Sequence, residues 1–303
     1  MSHSFDRIAE IMAALRAPGG CPWDRKQTHD SLKPYLLEET YEVLETIDQR
    51  DARKLKEELG DVLLQVLFHS QIASEAGTFT VDDVMDHLGD KLIRRHPHVF
   101  QTSPDGERTM NSEQVVHRWE EIKRAEREES GQTGSVLQDV PKTLPALLRA
   151  YQVQARAARV GFDWPDNAQG LEQVGAKIDE ELDELRRAID SARSGVLPGS
   201  PQATRSSAGQ GALEAELGDV LFSLVNFARH LKLNPEDALR RATNRFAERF
   251  HFIEDQAMRT GKTINELSLQ EMDAYWEEAK AMERSAMNHE PKLPPPETKE
   301  PER

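Results

Sequence analysis

One acidic pattern occurs twice in this sequence. Glu38-Glu39-x-x-Glu42 is followed by Glu58-x-x-Asp61, and Glu180-Glu181-x-x-Glu184 is followed by Glu216-x-x-Asp219. On an α-helix, the first, second and fifth positions of such a motif fall within one arc of about 100°. The Glu and Asp three apart share a face as well. Carboxylates converging in a helical core repel one another by about 4 kcal/mol per close pair at intermediate dielectric. A cation offsets that repulsion, and an all-oxygen donor set selects a hard one, Mg²⁺ with Mn²⁺ as a possible substitute. The bland alternative is a solvated helix face, since 54 residues are acidic. The recurrence of each motif ahead of a strongly apolar helix favours the metal.

Basic and aromatic residues recur too. Lys91/Arg95 and Arg245/Arg249 each stand four apart, on one helix face. Trp119/Lys123 and Trp276/Lys280 follow in the next helix of each half. Together they offer an indole to wall or stack a base and several cations for phosphates. Pairing with the many acids, or a tryptophan in the core, is the simpler reading of each alone. Other features carry less. Gly261-Lys262-Thr263 lacks the earlier glycine of a P-loop, and Glu248-x-x-His251 stands alone where a di-iron bundle needs two such motifs. His96-Pro-His98 reads as a helix-terminal feature, and Cys21 as a structural thiol.

The elements that must position these residues are helical. Three- and four-residue apolar steps predict helices over Tyr35–Ile47, Arg53–Ala76, Val81–Arg95, Ser112–Glu129, Pro145–Val160, Gly170–Ser194, Leu213–Leu231, Pro235–Arg259 and Leu269–Ala286. Alternating strand patterns are nearly absent, so the expected class is all-α. The second half repeats the first: Glu38, Glu39 and Glu42 match Glu180, Glu181 and Glu184, while Glu58 and Asp61 match Glu216 and Asp219. The widening offset places a flexible insertion at 191–211, rich in Ser, Gly and Pro. The expected organisation is a first domain at 1–130, a linker at 131–141, a second domain at 142–286 and a disordered tail at 287–303.

Composition narrows the class further. A formal net charge of −15 argues against a general nucleic-acid binder. No run of 18 apolar residues exists, so no membrane span is expected. One cysteine, and charged residues within the first apolar stretch, lead to the expectation of a cytoplasmic protein.

The acidic pairs, Cys21-Pro-Trp-Asp, Arg94-Arg-His-Pro-His-Val-Phe100 and Val160-Gly-Phe-Asp-Trp164 together resemble the MazG family. That family comprises tandem-domain members of the all-α nucleoside triphosphate pyrophosphohydrolases, and the resemblance spans 5–285. It implies two tandem helical-bundle domains completed by dimerisation or higher homo-oligomerisation. It also implies Mg²⁺-dependent hydrolysis of nucleoside triphosphates, ribo or deoxy, to monophosphate and diphosphate, with broad specificity and a house-cleaning role. On this reading Glu39, Glu42, Glu58 and Asp61 hold metal in the first half, and Glu181, Glu184, Glu216 and Asp219 in the second. Glu38 and Glu180, at the edge of each arc, are candidates to orient or deprotonate water. Lys91, Arg95, Trp119, Lys123, Lys177, Arg245, Arg249, Trp276 and Lys280 are the candidate substrate-binding residues. The halves are unequal: Lys177 and Asn226 correspond to Tyr35 and Phe68, so the second half is expected to be the better catalyst. Competing readings are a related pyrophosphohydrolase of narrow substrate choice, and a nucleotide-binding regulatory or scaffold module with a degenerate site.

Overall fold

Capping residues and chain reversals divide this chain into helical hairpins. The computed structural model describes residues 3–100, 135–138, 140–194 and 207–289, with scattered positions between 111 and 126. Among the described residues there are α-helices and 3-10 turns and no strand. The chain forms two compact units, Met1–Thr133 and Gly134–Arg303.

In the first unit, α1 (His3–Arg16) precedes α2 (His29–Gln49), α3 (Ala52–Glu75), α4 (Val81–Arg95) and the short α5 (Pro97–Phe100). Thr28 opens α2 through a capping box with Ser31. The helix therefore begins at His29, upstream of the predicted Tyr35 and through Pro34. Arg50, in the left-handed region at φ 55°, ends α2, and the Asp51 carboxylate accepts from the backbone N–H groups of Arg53 and Lys54 to start α3. This tight corner folds α3 back along α2. Met12, Leu32, Leu67 and Phe68 form the buried centre, tying α1 and α2 to α3. The helix α1 went unread in the sequence. Positions 114–115, 118–119, 121–122 and 125–126 are helical, within the span predicted at Ser112–Glu129.

In the second unit, α6 (Ala146–Arg159), α7 (Ala168–Ser194), α8 (Ser207–His230), α9 (Pro235–Arg259) and α10 (Leu269–His289) follow. The pairs α7 with α8 and α9 with α10 make hairpins, and α6 packs against α8 and α9. Gly170 is required where the chain enters α7: a Cβ there would stand 1.7 Å from the carbonyl oxygen of Pro165. The Asn167 side chain accepts from the Gly170 N–H at 2.9 Å at that crossing. Ile253, Ala257 and Leu267 form a buried cluster, with Phe250, Tyr275 and Trp276 against it.

Helix extends into both ends of the predicted 191–211 insertion, since α7 reaches Ser194 and α8 starts at Ser207; residues 195–206 lie outside the described residues. Of the predicted linker, Val140 is buried. Of the predicted tail, residues 290–303 lie outside the described residues.

The outer faces repeat as well. Leu59, Leu63 and Val66 on α3 are exposed, and so are Leu217, Leu221 and Leu224 at the matching positions of α8. Each set follows a four-then-three step and forms one stripe.

Candidate active site

The hairpin geometry brings each acidic motif onto its partner. In the first half, one carboxylate oxygen from each of Glu39, Glu42 and Glu58 lies within 4.8 Å of the others. Burial, followed by the charges of Asp61, Glu42, Glu38 and Glu58, pushes Glu39 above its ordinary carboxylate value. Burial and the neighbouring Glu42 and Asp61 push Glu58 up as well. The charges acting on Glu39 are all negative. Such a set fits a cation: oxygen-only donors whose mutual repulsion a divalent ion relieves.

The second half repeats the cluster with Glu181, Glu184 and Glu216, again within 4.8 Å. Glu181 is buried, at 7 % exposure. Here a cation is already in place. The Lys177 ammonium donates to Glu181 at 2.8 Å and to Glu180 at 3.1 Å. Those hydrogen bonds, Glu181 first, hold Lys177 above its ordinary value. The spacing explains the geometry: Lys177, Glu181 and Glu184 follow one another at four- and three-residue steps on α7. Arg187 also reaches Glu184, at 3.3 Å.

Asp61 and Asp219 stand on the next turn of α3 and α8, outside these three-oxygen groups. The Asp61 charge is felt at Glu39 and Glu58, while Asp219 is exposed. Glu38 and Glu180 are exposed and also outside the groups.

The basic residues divide into paired and open ones. Arg95 donates to Glu126 at 2.6 Å and Arg94 to the same carboxylate at 2.7 Å. The Arg95 hydrogen bond foremost, with Arg94, brings Glu126 down to about 2. In the second half the Arg249 fork holds Glu283 at 2.8 and 2.7 Å and lies 5.2 Å over the Trp276 ring. Two of the three arginines expected to grip phosphate, Arg95 and Arg249, thus already hold a carboxylate. Glu126 and Glu283 were missed in the sequence, although each stands seven residues after the repeated tryptophan. Lys280 pairs with Glu277 at 2.6 Å. Lys91 is half-buried and Arg245 exposed, the Arg245 charge helping to lower Glu283. Lys123 lies outside the described residues.

The tryptophans pack against neighbouring rings. Trp119 stands edge-on to His96, with ring centroids 5.0 Å apart, and its buried Nε1 has no partner among the described residues. Trp276 packs 5.1 Å from Phe246, beside the cluster of Ile253 and Ala257. His96 closes α4, its Nδ1 2.7 Å from the Leu92 carbonyl oxygen. Cys21 is a half-buried free thiol.

Farther along the two hairpins the halves diverge. In the first, Phe68 is packed edge-on to Trp23 at 6.3 Å, Trp23 meets Tyr35 at 5.8 Å, and Arg16 covers Phe68 at 5.7 Å. In the second, Asn226 occupies the matching place and joins Arg229, His230 and Asp163 in a polar network. Burial raises Asp163, but the Arg229 hydrogen bond and charge outweigh it and leave the carboxyl below its ordinary value. Asp163 and Arg229 are also additions to the residues singled out from sequence.

Known proteins are similar to this chain over most of its length. Residues 27–100 and 169–251 each match the MazG nucleotide pyrophosphohydrolase domain. A Thermotoga maritima protein named nucleoside triphosphate pyrophosphohydrolase/pyrophosphatase MazG is 45 % identical over 276 residues, 91 % of this chain and 95 % of its own length. An Escherichia coli nucleoside triphosphate pyrophosphohydrolase is 41 % identical over 282 residues, 93 % of this chain and 98 % of its own.

Proposed function

The chain belongs to the MazG nucleotide pyrophosphohydrolase family, and we propose that it hydrolyses nucleoside triphosphates to monophosphate and diphosphate at its second half. The observation that carries this reading is the Glu181/Glu184/Glu216 cluster with Lys177 held against it. The names of the two relatives give the reaction class.

Glu181, Glu184 and Glu216, with Asp219 one turn on, would hold Mg²⁺, or Mn²⁺ in its place. When bound, the ion neutralises phosphate charge and makes water a stronger nucleophile at neutral pH. The chain's own groups do the rest. Lys177 can rotate from Glu181 to a phosphate oxygen. Glu180, exposed beside Lys177, is placed to orient or deprotonate the attacking water. Arg245 on α9 would meet phosphate directly, Arg249 and Lys280 would do so by leaving Glu283 and Glu277, and Trp276 would wall the nucleotide.

The first half would hold metal at Glu39, Glu42, Glu58 and Asp61, with Glu38 as its water-orienting group and Lys91, Arg95, Trp119 and Lys123 on the substrate. Its lack of a lysine at Tyr35 supports a second reading for that half, nucleotide binding with little turnover. The exposed stripes at Leu59/Leu63/Val66 and Leu217/Leu221/Leu224 support assembly as a homodimer or higher oligomer, because apolar faces repeated in both halves lose their cost when paired. No helix among the described residues is long and apolar enough to cross a membrane. Broad base tolerance and nucleotide house-cleaning complete the proposal.

The test is diphosphate release from ribo- and deoxynucleoside triphosphates with Mg²⁺ and with chelator, identifying the nucleotide product. Metal-dependent monophosphate and diphosphate are expected. Absence of turnover with every triphosphate would replace the enzyme by a binding module.

A further inference from the structure

The positions Glu216, Asp219, Ser223, Asn226 and His230 recur along α8 at three- and four-residue steps, so they share one face. At 1.5 Å rise per residue, Asn226 stands about 10 Å beyond Asp219 and about 15 Å beyond Glu216. That is farther than one phosphate from the carboxylates and within the length of a nucleotide.

Asn226 is 8 % exposed, and its amide is oriented by its neighbour. Arg229 donates to the Asn226 Oδ1 from Nε at 3.1 Å and from Nη2 at 2.7 Å. A guanidinium has donors only, so the oxygen must face it and the amide cannot flip. Arg229 is fixed in turn by Asp163, whose Oδ2 accepts from Nη1 at 2.8 Å. Asp163 also accepts from the Trp164 backbone N–H at 2.9 Å and meets His230 Nε2 at 3.2 Å. Gly170 pins the loop that carries Asp163 against α7. Oδ1 is therefore held by the Arg229 edge, and the Nδ2 donors point away from it. They meet no acceptor among the described residues.

We propose that Asn226 is a specificity-determining residue of the second half, its oriented Nδ2 donating to an acceptor oxygen on the nucleoside part of the substrate. Arg229 and Asp163 are positioning residues that fix its donor-only presentation. This rests on reading the second half as the nucleotide site. The acceptor is a sugar hydroxyl or a base carbonyl, since both present an oxygen lone pair at that distance from the phosphates. The first half cannot make the contact, because Phe68 fills the matching place against Trp23.

Asn226→Asp is the sharpest variant: nearly isosteric, it keeps an oxygen toward Arg229 and removes both donors. In the full-length protein, kcat/KM is measured for ribo-, 2′-deoxy- and 2′,3′-dideoxynucleoside triphosphates of each base, with the unfolding temperature. The wild type is expected to favour acceptor-bearing substrates by about 10-fold or more, and the variant to lose that preference. A preference that collapses along the sugar series identifies a hydroxyl, and one that collapses between carbonyl- and amino-bearing bases identifies the base. Unchanged preferences, or a uniform fall for every substrate, would overturn the role. If Asn226→Asp does not fold, Asn226→Ala carries the same comparison. Titration with nucleoside 5′-monophosphate and with inorganic diphosphate separates this proposal from the reading beneath it. Even without any turnover, weaker monophosphate binding with unchanged diphosphate binding would uphold Asn226, and equal or absent monophosphate binding in both proteins would refute it.

Discussion

The two carboxylate clusters have the same geometry and different surroundings. The charges acting on Glu39 and Glu58 are negative, whereas Glu181 is buried beneath Lys177. Farther out, Trp23 packs with Tyr35 and Phe68, and the second half has Lys177 and Asn226 at the positions of the latter two. A positioned ammonium and an open polar end are what a phosphate ester additionally needs. The halves therefore share a carboxylate cluster and differ in what surrounds it.

The largest effect expected from this difference is on turnover. The Glu181→Gln/Glu184→Gln double variant should lose about 100-fold or more in kcat, while Glu39→Gln/Glu42→Gln keeps most activity. Steady-state diphosphate release decides it; equal losses would make the halves equivalent. Next in size is the ammonium. Lys177→Met should cost about 10- to 100-fold in kcat/KM, the size of one charge-assisted phosphate contact. Tyr35→Lys in the Glu181→Gln/Glu184→Gln background should raise the residual rate, and no rise would separate the difference from that position.

Smaller effects concern stability. Mg²⁺ should raise the unfolding temperature by a few degrees, because a ligand at about 100 times its Kd stabilises by about 2.7 kcal/mol. Glu39→Gln/Glu42→Gln should lose part of that shift by calorimetry. The smallest expected effect is in acid. Glu126 is held near 2 by Arg95 and Arg94. A carboxylate depressed on folding contributes stability above its ordinary range near 4.5, and loses it as pH falls through that range toward 2. Arg95→Met should therefore flatten the acid limb of the stability curve by up to about 1 kcal/mol, the pair being partly exposed. Glu283, lowered by Arg249, should behave alike in the second half.

The clusters were legible because helical spacing alone joins Glu39 to Glu42 and Lys177 to Glu181, and because the pattern recurs with its Glu-x-x-Asp partner. Val81–Arg95 and Pro235–Arg259 were legible to the residue, since Thr80 with Asp83 and Asn234 with Pro235 mark their starts. The start of α2 was hidden by Pro34, which discourages a helix locally although the Thr28 capping box upstream sustains it. The flanks of the insertion were read as loop because glycine and serine composition outweighed the continuing helices. The partners of Arg95, Arg249 and Arg229 were not legible, because 31, 34 and 66 residues separate them from Glu126, Glu283 and Asp163. Those pairings depend on how helices pack, which local spacing does not encode. Only the equal step from each tryptophan to its glutamate hinted at two of them.

The most direct test compares initial rates of diphosphate release, in Mg²⁺, for the wild type, Glu181→Gln/Glu184→Gln and Glu39→Gln/Glu42→Gln. Near-complete loss in the first variant with most of the rate kept in the second is the predicted result. Full activity in Glu181→Gln/Glu184→Gln, or loss confined to Glu39→Gln/Glu42→Gln, would contradict the assignment of catalysis to the second half.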